Sequence, residues 1–213
     1  MTDKRPESSN NPSTPTDELP AIEFSSPGRF TIHNPDEGSP DTALVEPTPF
    51  IIGSHPELER FEQPGLARSH ALALMQQAKL EVCLYSPDGE AWLYNHSALR
   101  DACQQFLLAS PKARFRWLLA DSQRLVRQGH LLLQLCRKFT SQTDIRLLNP
   151  QYPTSGDAYL LIDQTAYLRR PEPDSYSGYV WYHAPAKGKQ RFGQFEQAWN
   201  TSQFDPNLRS MPL

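Results

Sequence analysis

Cysteine is scarce in this chain, and so are long apolar runs and clustered basic stretches. Its 213 residues include three cysteines, Cys83, Cys103 and Cys136. An odd number of widely spaced thiols, each flanked by apolar residues, makes neither a disulfide framework nor a zinc-ligand spacing. It fits buried free cysteines in a reducing compartment. No metal or cofactor is expected. The first thirty residues lack the basic-then-apolar order of a secretory signal, and no apolar run approaches bilayer-spanning length, so a cytoplasmic chain with no membrane span is expected.

Positive charge is also thin at the start. Residues 1–50 carry three basic and nine acidic groups and hold nine of the 20 prolines, leaving 18 basic and 15 acidic groups and all four tryptophans to the rest. That split predicts a disordered, acidic, Pro/Ser-rich tail over 1–50 and one folded domain over 51–213. The domain's small positive excess falls short of the basic stripe of a nucleic-acid binder, so nucleic acid is not the expected partner.

Within the domain, Phe50-Ile51-Ile52 reads as an apolar clamp for the end of the tail. Ser54 and Glu57 have capping-box spacing with Pro56 in the first turn, which predicts a short helix through Leu58 and Phe61, closed by Pro64-Gly65. Ala71, Leu74, Met75 and Ala78 step at helical spacing and predict a helix over 66–78. A strand from Leu80 to Tyr85 comes next, closed by the turn Ser86-Pro87-Asp88-Gly89. Asn95 caps a helix carrying Leu99, Cys103 and Phe106, and Phe115 to Ala120 is the next strand. Asp121-Ser122 caps the segment after that strand, a helix from Gly129 buries Leu132 and Cys136, and Ile145 to Leu148 is a third strand. Such alternation predicts an α/β fold with a mainly parallel sheet and flanking helices. A C-terminal hairpin over 157–170, an aromatic strand at Tyr179 to His183 and a helix burying Phe195 and Trp199 complete the order.

Six residues in this frame are candidates for ligand binding. His130 follows Gly129 at a helix start, where free N–H groups attract anions; a packed or capping histidine is the competing role. Arg169 and Arg170 close the hairpin and suit a bidentate grip on phosphate, though neighbouring strand residues face opposite ways and only one can enter a given pocket. Trp181 and His183 sit among aromatics ahead of Lys187, Lys189 and Arg191, a mixture of stacking faces and positive charge found in single-strand nucleic-acid sites; a core or a protein interface is the competing role. Asp163 lies between the two apolar runs, where it serves equally as a turn residue.

The order of elements over roughly 66–209 resembles half of a phospholipase D-type domain. The signature of that family is His-x-Lys-x-x-x-x-Asp on one strand, leading into a second strand that ends in Gly-Ser. Anchored on the apolar run, it falls on Gly156 to Asp163. Asp163 matches, but Gly156 stands at the nucleophile's place, Ala158 at the lysine's, and Arg169-Arg170-Pro171 replaces Gly-Ser. The resemblance therefore implies the family's fold without its attacking and charge-neutralising groups, a pseudoenzyme that binds an anionic or phosphate-containing ligand or a protein partner. In that family two halves pair, so a homodimer is implied as well. An active phosphodiesterase or nuclease using His130 or His183 is the alternative.

The body is also similar to a bacterial domain often found behind GNAT-type acetyltransferase domains. The likeness is carried by Arg127-Gln128-Gly129-His130-Leu131-Leu132, Arg137-Lys138-Phe139-Thr140-Ser141, Ile145-Arg146, Leu161-Ile162-Asp163, Tyr167-Leu168-Arg169-Arg170-Pro171 and Asp205-Pro206-Asn207-Leu208-Arg209. It implies a second alternative, a partner subunit of an acetyltransferase. Residues 1–50 have no Gly-rich pyrophosphate-binding turn, so acetyl-CoA chemistry is not carried over.

Overall fold

A computed structural model describes residues 44–153, 156–172 and 174–208. The expected tail through residue 43 lies outside the described residues. Val45, Phe50 and Ile52 lie against the core. Gln77 fixes this strap, its side-chain oxygen accepting from the Ile52 N–H at 2.8 Å and its amide donating to the Phe50 carbonyl at 2.9 Å.

Seven strands form one sheet in the order β1-β7-β6-β5-β2-β3-β4. They are β1 (Leu58–Phe61), β2 (Glu81–Ser86), β3 (Arg114–Leu119), β4 (Thr143–Leu147), β5 (Ala158–Ile162), β6 (Ala166–Arg170) and β7 (Gly178–Trp181). The α/β class and the flanking helices are as expected, but the sheet is mixed. Only β2-β3 and β3-β4 run parallel, and the other four pairings among the described residues are antiparallel. The helical crossovers expected from the alternation occur only in the first half. In the second half β5 pairs antiparallel with β2, and β6 and β7 follow it as an antiparallel meander.

The predicted helix at 54–63 is instead a turn followed by strand β1. The N–H groups of Ser54 and His55 both donate to the Ile51 carbonyl, and Glu57 pairs with His55 at 3.1 Å. Leu58 to Phe61 then pair with Trp181 to Gly178. So short a segment gains little as a helix, and an open sheet edge overrides the local capping signal.

Helices cover both faces. On one face lie α1 (Pro64–Gln76), α2 (Ala91–Tyr94), α3 (Ser97–Ala109), α4 (Gln123–Gln128) and α5 (Leu131–Lys138), which bury Leu74, Leu93, Phe106 and Leu132 against Leu84, Trp117, Leu160 and Val180. On the other face α6 (Pro185–Asn200) lays Phe195 and Trp199 on Cys83, Tyr85, Tyr159 and Tyr167. All three cysteines are buried free thiols. Two caps are exchanged relative to expectation. His96 caps α3 through Nδ1, while the Asn95 side chain accepts the Leu131 N–H at 2.9 Å and so holds the start of α5. Among the described residues, no helix is long and apolar enough to cross a membrane.

Candidate functional site

The period of two along β6 sends its last two residues to opposite faces. Arg169 lies on the α6 side, where its Nε donates to the Asp157 carboxylate at 2.6 Å and its Nη1 to the Tyr179 hydroxyl at 2.5 Å. Burial works against the charge on Arg169, but the bonds to Asp157 and Tyr179 outweigh it and raise the pKa. Arg191, from the middle of α6, reaches the same carboxylate at 3.2 Å and lies 5.3 Å from the centre of the Tyr159 ring. Asp157 itself is 2% exposed, a buried carboxylate clasped by two guanidinium groups from different elements.

Gly188 sets the height of α6 above the sheet. A methyl group there would overlap the Gln164 carbonyl in the β5–β6 turn, so the helix backbone approaches this turn at a distance only glycine permits. Arg191 follows three residues later, almost one helical turn on, and is thereby aimed at Asp157.

Two hollows flank Arg191 and Gln194, which line both. One, about 310 Å³, is walled by Tyr85, Tyr152, Tyr159, Leu118 and Leu148, with the Gln197 amide at its rim. Burial pushes the Tyr159 hydroxyl's pKa up, which keeps that ring neutral. The other, about 290 Å³, is bounded by Tyr167, Tyr179, Trp181, Arg169 and Lys187, and among the described residues no acidic side chain lines it. Lys187 Nζ sits 4.1 Å over the Trp181 ring, holding an ammonium at the entrance.

The other candidate residues do not converge on this cleft. Arg170 is 1% exposed on the opposite face, ion-paired with the buried Glu90, stacked 4.6 Å from Trp92 and bonded to the Ser175 and Glu172 carbonyls. It cannot grip an external anion there without breaking that pair. His130 is 2% exposed and caps α5, its Nδ1 accepting the Leu132 N–H at 3.1 Å, and burial lowers its pKa to about 4. His183 is exposed just beyond β7. Asp163 adopts a left-handed conformation in the hairpin turn, and its carboxylate accepts the N–H groups of Lys79, Leu80 and Glu81 at 2.7–2.8 Å, tying the turn to the start of β2.

Gly156 has a φ of +73° ahead of β5. Ala158 stands opposite Arg170 on the face away from α6. Among the described residues no group of His, Cys, Asp and Glu has the arrangement of a metal site. Sequence reasoning missed Asp157 and Glu90. The signal for Asp157 was a carboxylate set directly before five buried strand residues, a place where it needs a cationic partner.

Several solved structures share this fold in part. The archaeal chromatin protein TrmBL2, whose structure shows a novel mode of DNA binding, matches with a TM-score of 0.50 and 13% identity over 68% of this chain and 53% of its own. This chain thus spans about half the length of that protein. Nuc of Salmonella typhimurium, a phospholipase D family member, matches at 0.48 and 14% over 69% and 97%, and NucT of Helicobacter pylori at 0.48 and 10% over 70% and 99%. No curated protein matches the sequence. The family model described as Domain of unknown function (DUF7931) matches residues 63–211, most of the folded part, and the chain belongs to that family.

Proposed function

We propose that the domain is a non-catalytic binding module for an anionic ligand, seated in the cleft between α6 and strands β5 to β7. One observation carries this reading: Arg169 and Arg191 converge on a single buried carboxylate while Lys187 stands at the rim, so the cleft holds more cationic than anionic groups. Asp157 orients the two guanidinium groups and cancels only one of their charges. A phosphate or carboxylate entering beside them meets donors already held in place, which lowers the cost of binding it.

The non-catalytic part rests on what the histidines do. His130 and His96 are buried helix caps, and His70 is buried against the Tyr182 hydroxyl at 3.0 Å. A histidine nucleophile needs an accessible nitrogen and a neighbouring charge to activate it, and these three spend a ring nitrogen on structure.

Calorimetric titration of the protein with inorganic pyrophosphate tests the binding. Saturable heat that weakens at least tenfold in Arg191→Met supports the reading, and no heat, or heat unchanged in that variant, removes it. In parallel, bis(p-nitrophenyl) phosphate is offered as a generic phosphodiester. Turnover that disappears in His130→Ala or His183→Ala would restore an enzyme.

A further inference from the structure

We infer that the cleft takes a mononucleotide, with its base in the tyrosine-walled hollow and its phosphate in the basic one. The inference rests on the anion-binding reading above and adds the part of the ligand that is not charged.

The two hollows differ in chemistry. The first offers three tyrosine rings with two leucines, and among the described residues its charged lining residues are Asp157 and Arg191, which are paired with each other. Such walls favour a flat, uncharged group, because aromatic faces bind other π-systems by offset or edge contact. They do not suit a plain hydrocarbon ring alone. Gln194 and Gln197 line the same hollow, and a side-chain amide presents both a donor and an acceptor, which match the hydrogen-bonding edge of a heteroaromatic base. The second hollow carries Arg169, Lys187 and Arg191 and, among the described residues, no acidic lining residue, which fits a phosphate.

Size and connection point the same way. Each hollow lies near the lower end, roughly 300 Å³, of the range that accommodates small ligands. Side by side, the two give a base one hollow and a sugar phosphate the other. Arg191 and Gln194 belong to both walls, so a ligand that spans them passes over a single guanidinium group able to face its phosphate. The site lies on the α6 side of the sheet, away from Ala158 and Arg170, and so is separate from the strand face on which the phospholipase D-like signature would place its reacting groups.

The test titrates the full-length protein with AMP, ribose 5-phosphate, adenosine and phenyl phosphate, following binding by calorimetry and by tyrosine and tryptophan fluorescence. AMP is expected to bind about tenfold or more tightly than ribose 5-phosphate, the gain that one stacked base typically gives. Tyr152→Ala, at the half-buried wall, should erase that advantage while leaving ribose 5-phosphate unchanged. Lys187→Met, at an exposed position, should weaken both phosphates and preserve the melting temperature. Equal affinity for AMP and ribose 5-phosphate would overturn the nucleotide assignment and leave the anion-binding reading standing. Phenyl phosphate binding as tightly as AMP would likewise overturn it, by removing the need for a base edge. Adenosine binding as tightly as AMP, or no binding of any of the four, would overturn both.

Discussion

The Asp157 carboxylate and the Arg169 guanidinium meet at 2.6 Å on the face of the sheet that α6 covers, one 3% and the other 27% exposed. Asp157 is therefore the fixed member and Arg169 the one that can still meet solvent. Replacing Asp157 by Asn keeps the shape and removes the charge that holds two arginines together. The expected loss is about 2–3 kcal/mol, below the range for fully buried pairs because the arginines remain partly wet. The same change leaves the cleft more positive, so phosphate should recover more of the lost melting temperature than chloride at equal ionic strength. Thermal melts of Asp157→Asn in the two salts check this, and identical recovery would count against the cleft as an anion site.

The α/β class, the hairpin and the position of most helices were legible in the sequence, since apolar steps of three and four or of two report burial directly. Strand β1 was not, because its four residues show one buried side chain and its state is decided by β7, more than a hundred residues away. The direction of the β5 to β7 pairings was also hidden: local pattern gives a strand's faces but not its neighbours. For the site, Arg169 was visible as a charge at a strand end. That it turns toward Asp157, while Arg170 turns toward Glu90, depends on which face each helix covers, and no local spacing encodes it.

Asp163 joins the hairpin turn to the strand that begins at Glu81. A carboxylate that accepts three backbone N–H groups does the work of a loop cap, and its left-handed backbone suits Asp or Asn better than most residues. Asp163→Ala should cost about 2 kcal/mol, and Asp163→Asn less than half of that, because the amide oxygen still accepts and the conformation is tolerated. Denaturant unfolding of the two variants measures the difference. Pyrophosphate affinity should be unchanged in both, for the turn does not line the cleft; a parallel loss of affinity would place Asp163 in the ligand site after all.

Glu90 and Arg170 form the buried pair on the opposite face, and Glu90 holds a left-handed conformation with φ of 42° to make it. Neutralising Glu90 alone strands a guanidinium that is 1% exposed, so Glu90→Met should lose about 3–5 kcal/mol. Replacing both, Glu90→Met with Arg170→Met, removes both desolvation costs and should recover at least about 2 kcal/mol of that loss. Chemical unfolding of the single and double variants forms a double-mutant cycle. Additive losses would show that the two charges do not depend on each other.

The protonation of His130 gives the fold a pH dependence with a definite sign. Burial lowers its pKa from an ordinary value near 6.5 to about 4, so the neutral ring is the form that the native state accepts. Between those two values the unfolded chain binds a proton that the folded chain does not, and stability must fall as pH drops through this window. Above about 6.5 the effect is absent, and below about 4 it is complete. The window corresponds to about 3 kcal/mol in all. His70 adds to it in the same direction, since burial lowers its pKa as well. His130→Asn keeps a capping side chain for α5 but cannot titrate. It should flatten most of the slope between pH 4 and 6.5 without changing the stability at pH 8 by more than about 1 kcal/mol. Urea midpoints across that range, measured for both proteins, decide the matter: parallel curves would mean that His130 takes up its proton alike in the folded and unfolded chains and that burial does not hold its ring neutral.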